Sequence, residues 1–223
     1  MEQAKPAIWS GYLTMDFTPG FVDEFETLLR WRRDVRHFRT DPLPEADVLH
    51  LIEIACLSPS VGNAQPWRFV RVRSPGLRAA LADHVDAMSA RAAERYDDAR
   101  RARYAALKLH GLREAPEIIA VFSDDQPAAG HGLGIATMAD ALPYSTVTAI
   151  HSLWLTARAK GIGLGWVSIV NPRVVAQILD VPVTWRLIGL LCLGYPVEES
   201  EVPELERRGW QERDPWQEKL FER

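Results

Sequence analysis

Cysteine is scarce in this chain. Cys56 and Cys192 are the only two in 223 residues. They stand far apart, in no spacing that suggests a metal site or a disulfide framework. Both sit among apolar residues, which predicts buried free thiols in a reducing compartment, and no metal is expected. Long apolar runs are missing too, so no segment is read as spanning a bilayer. Met1-Glu2-Gln3-Ala4-Lys5-Pro6 lacks the basic flank and apolar core of a signal peptide, and a cytoplasmic location is expected. There is no excess of positive charge: the formal net charge is −4. Nucleic acid and membrane partners are not expected, and any basic cluster is a local feature. No internal repeat and no domain-dividing linker is found.

What remains is ordinary globular composition, with 47% hydrophobic and 25% charged residues, enough for a sizeable core. We divide the chain into an irregular N-terminal arm over 1–20, one domain over 21–200 and a charged C-terminal arm over 201–223. Trp210 and Trp216 in that last arm predict packing on a partner subunit. Apolar spacing predicts an amphipathic helix from Phe21 to Trp31 and a second helix from Pro44 that ends at Ser58-Pro59. Trp67–Val72 reads as a strand. Leu77–Leu109 reads as charged helix in two pieces, a surface or lid segment, with an Asp97–Arg101 pair and a stop at Gly111. Ile118–Phe122 is apolar throughout, as in a strand covered on both faces. Tyr144–Ala159 is a helix apolar nearly all round, which predicts deep burial or a subunit interface. His151 on it reads as a core histidine. A short helix from Asn171-Pro172 to Leu179 and a buried strand over Arg186–Tyr195 follow. Mixed elements of this kind make an α/β (α+β) fold, a small mixed sheet flanked by helices.

Three stretches carry chemistry. Arg30-Trp31-Arg32-Arg33-Asp34-Val35-Arg36-His37-Phe38-Arg39 gathers five arginines and a histidine round one carboxylate. Guanidinium groups bind phosphate through paired hydrogen bonds, and an acid among them stays ionised and can accept a proton. The same run also fits a solvated helix end whose Asp34 merely pairs with its neighbours. Ser58-Pro59-Ser60-Val61-Gly62-Asn63-Ala64-Gln65-Pro66-Trp67 is a stiff loop with amide and hydroxyl groups suited to the edge of a heteroaromatic ring, or a capped turn. Gly161-Ile162-Gly163-Leu164-Gly165-Trp166-Val167-Ser168 is not a dinucleotide fingerprint, because its glycines precede a strand rather than follow one. They let another backbone or a flat ligand approach.

Taken together these residues resemble the nitroreductase-like flavoproteins. Arg32-Arg33-Asp34-Val35-Arg36-His37-Phe38 is similar to their flavin-phosphate motif, and Ser58-Pro59-Ser60 through Gln65-Pro66-Trp67 to their ring-contacting loop. Within them the likeness is closer to the 5,6-dimethylbenzimidazole synthases, through Asp34 where many nitroreductases carry serine. Tyr104-Ala105-Ala106-Leu107-Lys108-Leu109, Gly132-Leu133-Gly134, Tyr144-Ser145, Gly165-Trp166-Val167-Ser168-Ile169, Leu191-Cys192-Leu193-Gly194-Tyr195-Pro196 and Gly209-Trp210 extend it. The likeness runs over roughly 21–215. Asn63-Ala64 departs from the bulkier apolar residues expected there and resembles ordinary nitroreductases.

The resemblance implies a homodimer with flavin sites at the interface. It also implies that reduced FMN is the substrate, fragmented with molecular oxygen and supplied by a separate flavin reductase that uses NAD(P)H. By the same resemblance Arg32, Arg33, Asp34, Val35, Arg36, Ser60, Leu109 and Ser168 bind the flavin, and Asp34 and Ser168 are catalytic. Two alternatives stand beside this one: a recycling FMN-dependent NAD(P)H nitroreductase or flavin reductase, and a flavin-storage protein without turnover.

Overall fold

A computed structural model describes residues 16–223. The expected arm over 1–20 lies outside the described residues as far as residue 15. Helix α1 (Pro19–Trp31) opens where Thr18 accepts the Phe21 amide hydrogen at 3.2 Å and Pro19 takes the first turn. It is followed by α2 (Glu45–Ala55), β1 (Trp67–Arg71), α3 (Pro75–Ala93), α4 (Asp98–Ala105) and β2 (Glu117–Asp124). Then come α5 (Ala141–Ala159), β3 (Gly163–Val167), α6 (Pro172–Leu179), β4 (Trp185–Gly194) and the single-turn α7 (Glu204–Arg207). The predicted elements are present with ends moved by a few residues. Among the described residues no helix is long and apolar enough to cross a membrane.

The four strands pair antiparallel in the order β1-β2-β4-β3. The expected mixed character reduces to one parallel bridge, Asp34 to Leu164, at the free edge of β3. Both faces of the sheet are covered. On β2, Ile118, Ala120 and Phe122 enter one core with Leu81 and Val85 of α3 and Val175 of α6. The alternate residues Ile119 and Val121 enter the other, with Leu51 of α2 and Ile150 and Leu153 of α5. This two-residue alternation between two buried faces is why Ile118–Phe122 has no polar position.

Several expectations are corrected. Cys56 is exposed, because it is the C-cap residue where α2 ends; Cys192 is buried. His151 is exposed, on the outward stripe of α5 rather than in the core. Asp97 does not pair with Arg101. It turns back to cap α4, accepting from the Arg100 amide at 2.8 Å, and Arg101 approaches Asp98 at 3.5 Å instead. Gly111 ends no helix, since α4 stops at Ala105. Its missing side chain makes room for the Phe38 ring, which a Cβ there would strike. Trp210 packs within the chain, with ring centroids 5.5 Å from Tyr96 and 5.9 Å from Tyr104. Trp216, Leu220 and Phe221 beyond it are exposed.

Phe38 ties the arginine-rich stretch to the core. It is 5% exposed, seated between Gly111 and Gly194, and its backbone bridges Pro196. Phe38→Ala is expected to lower stability by about 3–5 kcal/mol, read as a lower denaturant midpoint with unchanged slope.

Candidate active site

The chain leaves α1 at Arg32 in an extended conformation and runs along the outer edge of β3. The Val35 amide donates to the Leu164 carbonyl at 2.9 Å. The contact depends on two glycines, which lie within β3 rather than before it as the sequence suggested. A Cβ on Gly163 would meet the Val35 side chain at 2.9 Å, and one on Gly165 would run into the Val35 carbonyl oxygen. The backbone that the glycines of this strand were expected to admit is therefore that of Asp34-Val35.

Asp34 is fixed by both carboxylate oxygens. The Trp166 amide donates to Oδ1 at 2.8 Å and Arg36 Nε to Oδ2 at 2.8 Å. Its side chain is 30% exposed and that of Arg36 12%. Burial raises the Asp34 pKa above the ordinary 3.8, against the pull of Arg36, the Trp166 amide and Arg32. Arg36 Nη1 also points at the Lys108 carbonyl, at 3.4 Å. That contact draws the half-buried Leu109 segment toward Asp34.

Arg32 and Arg33 stand apart from this pair. The Arg32 guanidinium lies 4.5 Å over the Trp154 ring, and Trp154 Nε1 donates to the Arg33 carbonyl at 3.3 Å. Arg33 Nε donates back to the Arg30 carbonyl at 2.9 Å. Among the described residues neither forms an ion pair with a carboxylate, whereas Arg30, Arg36 and Arg39 each do. Burial lowers the pKa of both, against the pull of Asp34 at Arg32 and of Glu201 and Glu206 at Arg33; Arg213 adds to the lowering at each, and Arg32 at Arg33. Arg32 and Arg33, partly buried and outside any ion pair among the described residues, keep guanidinium donors of the kind that suit a phosphate. Arg213 lies 180 positions along the chain from Arg33, and nothing in its sequence context marked it.

Ser168 is exposed just past the end of β3, two residues after Trp166, whose amide holds Asp34. Ser60 lies elsewhere. Its Oγ accepts from the Gln65 amide at 3.0 Å, within a loop where Gly62, Asn63 and Gln65 all have positive φ. The loop rests on α5 at Ser145, whose Oγ accepts from the Val61 amide at 3.0 Å. Ser145 and Trp154 are nine residues apart on α5, which is half a turn round the helix and about 14 Å along it. Between those two faces runs an exposed stripe of Tyr144, Val147 and His151. The Arg32–Arg36 segment thus meets α5 at Trp154 and the Ser60 loop meets it on another face at Ser145. The tail also contributes unforeseen contacts: the Val197 amide donates to the His37 carbonyl at 3.0 Å, and His37 Nε2 is 3.3 Å from Glu204. Among the described residues no group of three or more His, Cys, Asp or Glu is placed to hold a metal ion.

Gly165→Ala would have to push Val35 off the strand. We expect a loss of about 1–3 kcal/mol in stability and at least tenfold weaker binding of a phosphorylated ligand, measured by thermal melting and ligand titration.

The nitroreductase family model matches residues 29–195. A protein of Rhodospirillum rubrum named 5,6-dimethylbenzimidazole synthase is 52% identical over 199 residues, covering 89% of this chain and 94% of that protein. One of the same name from Rhodobacter capsulatus is 47% identical, covering 90% and 97%. Among solved structures, oxidized iodotyrosine deiodinase bound to FMN and 3-iodo-L-tyrosine superposes with a TM-score of 0.67 at 24% identity, covering 79% of this chain and 91% of that one. With one family model running from the last turns of α1, through the arginine stretch, to the residue after β4, this chain belongs to the nitroreductase family.

Proposed function

We propose that this chain is a 5,6-dimethylbenzimidazole synthase acting on reduced FMN. Relatives of that name at 52% and 47% identity, aligned over nearly their whole length, support the reading. The observation that carries it at the site is Asp34, a carboxylate held by the Trp166 amide and Arg36 beside Arg32 and Arg33, which form no ion pair among the described residues. Reduced FMN is the substrate: with molecular oxygen it is fragmented to 5,6-dimethylbenzimidazole, the lower ligand of vitamin B12, and D-erythrose 4-phosphate.

The residues divide the work. Arg32 and Arg33 bind the ribityl phosphate, with Arg213 adding charge, and Arg36 holds Asp34 in place while facing the flavin. Val35 and Leu109 line the ligand. Asp34 accepts and returns protons as carbon–carbon bonds break, a task suited to an acid whose pKa is raised by burial. Ser168, just past the end of β3, offers a hydroxyl to the reacting ring. Ser60 contacts the ring of the flavin bound chiefly by the other subunit. The placement of Ser60 and the arginines on different faces of α5, with an exposed stripe between, supports a homodimer. A second copy packed on that stripe about a two-fold axis would bring its arginines toward this chain's Ser60. The exposed Trp216, Leu220 and Phe221 of the C-terminal arm are proposed to pack on that partner. A separate flavin reductase using NAD(P)H supplies reduced FMN in the cytoplasm.

The test is direct. Purified protein mixed with chemically reduced FMN and then exposed to air is expected to yield 5,6-dimethylbenzimidazole with stoichiometric loss of flavin. Sustained NAD(P)H oxidation with FMN recovered whole would overturn the proposal in favour of a recycling nitroreductase. Asp34→Asn is expected to keep FMN bound while product formation falls at least 100-fold; normal yield would remove Asp34 from the chemistry. The ionised Asp34 is the acceptor, so activity should fall on acidification through a pKa above 3.8. The pH profile of Asp34→Asn's residual activity should lack that limb.

A further inference from the structure

The loop that carries Ser60 is held in an unfavourable shape. Gly62 has φ 55°, and Asn63 and Gln65, which have side chains, have φ 54° and 47°. Residues in that region persist only where their surroundings impose it. Two sides impose it here. On one, the glycine turn at 130–134 interlocks with the loop: a Cβ on Gly62 would meet the Leu133 carbonyl oxygen at 2.8 Å, and one on Gly134 the Val61 side chain at 2.8 Å. On the other, α5 presents Ser145, Thr148 and Ser152, spaced three and four apart and therefore on one face.

These hydroxyls form a ladder under residues 58–61. Ser152 Oγ is 2.7 Å from Ser58 Oγ. Thr148 Oγ1 is 3.2 Å from the Pro59 carbonyl but closer, at 2.7 Å, to that of Ser145, so its single hydrogen serves its own helix first. Ser145 is the firm rung. It is 6% exposed, donates to the Ala141 carbonyl at 2.6 Å and accepts from the Val61 amide at 3.0 Å. Both its roles are filled, and the Val61 amide opens the short 3-10 turn Val61–Asn63, which has no side-chain cap of its own.

We propose that this ladder, anchored at Ser145, positions the Ser60 loop for the reaction, and that the resulting placement decides whether reduced FMN is taken apart or merely reoxidised. The proposal rests on the function proposed above. A loop displaced from the ring leaves the phosphate cradle intact, since the arginines sit on another face of α5. Bound flavin then follows its simpler course with oxygen: two electrons and two protons pass from the dihydroflavin to O2, giving FMN and hydrogen peroxide. In this proposal Ser145, Thr148 and Ser152 act through the loop, as positioning residues.

The experiment mixes full-length protein with chemically reduced FMN, admits air, and measures 5,6-dimethylbenzimidazole formed, FMN recovered whole and peroxide released. Ser145→Ala is expected to lower the product yield per flavin at least fivefold, with matching rises in intact FMN and peroxide, while FMN affinity changes less than threefold. Ser145→Thr, which keeps the hydroxyl, is expected to restore the yield to within twofold. Thr156→Ala removes a hydroxyl that bonds only the Ser152 carbonyl of its own helix, and is expected to match the native chain. Ser152→Ala covers failure of Ser145→Ala to fold, and is expected to lower the yield about twofold. An unchanged yield in folded Ser145→Ala, or in Ser152→Ala should the former not fold, would overturn the proposal. So would an equal loss in Thr156→Ala. No product from the native chain would overturn the function itself, and this proposal with it.

Discussion

Two backbones touch at the edge of β3, and the candidate site depends on it. A side chain on this part of the strand would collide with the segment that crosses it. Gly163 and Gly165 carry none on the side that matters, so Asp34 and Val35 settle directly on the strand. From that one contact follow the Val35–Leu164 hydrogen bond and the Trp166 amide aimed at Asp34. Asp34 then has one oxygen fixed by a main-chain donor and the other by a guanidinium, which leaves little freedom in where its proton can be taken or given. Phe38 continues the attachment by filling the spaces over Gly111 and Gly194, so the charged segment is moored at both ends.

Helix α5 is the second organiser. Its core face, from Leu142 to Ala157, buries against the sheet. One flank takes the arginine segment through Trp154, and the opposite flank takes the Ser60 loop through Ser145. The helix is unevenly exposed: Tyr144 and Val147 are large and apolar yet face outward, an arrangement that favours a covering surface.

Much of this was legible beforehand because it is local. Spacing, charge pattern and start signals located the helices from α1 to α6, though the helix read as far as Leu109 stops at Ala105, and the unbroken apolar run of β2 announced a strand with two buried faces. The arginine cluster and the stiff loop were visible as composition. Their resemblance to flavoprotein motifs pointed to the family that the family model then matched. What failed was pairing. Asp97 and Arg101 stand at helical spacing, but Asp97 serves as a cap, and a residue at a helix end has a backbone donor closer than any side chain. Gly111 looked like a helix stop and is a seat for a phenyl ring. His151 and Cys56 lie in apolar sequence yet face outward, because hydrophobic neighbours in a chain do not share a direction once the chain is helical.

The sequence by itself determined the elements, the two buried faces of the central strands and the chemical character of the site: many guanidiniums, one carboxylate, a hydroxyl-bearing loop. These follow from propensity, period and side-chain chemistry, which act within a few residues. Tertiary structure alone decided which arginines are paired and which are left for an anion, that Arg213 joins Arg32 and Arg33, and that Ser60 sits across α5 from Asp34. Such choices depend on contacts between segments tens to hundreds of residues apart, and their energies exist only after the chain has closed on itself.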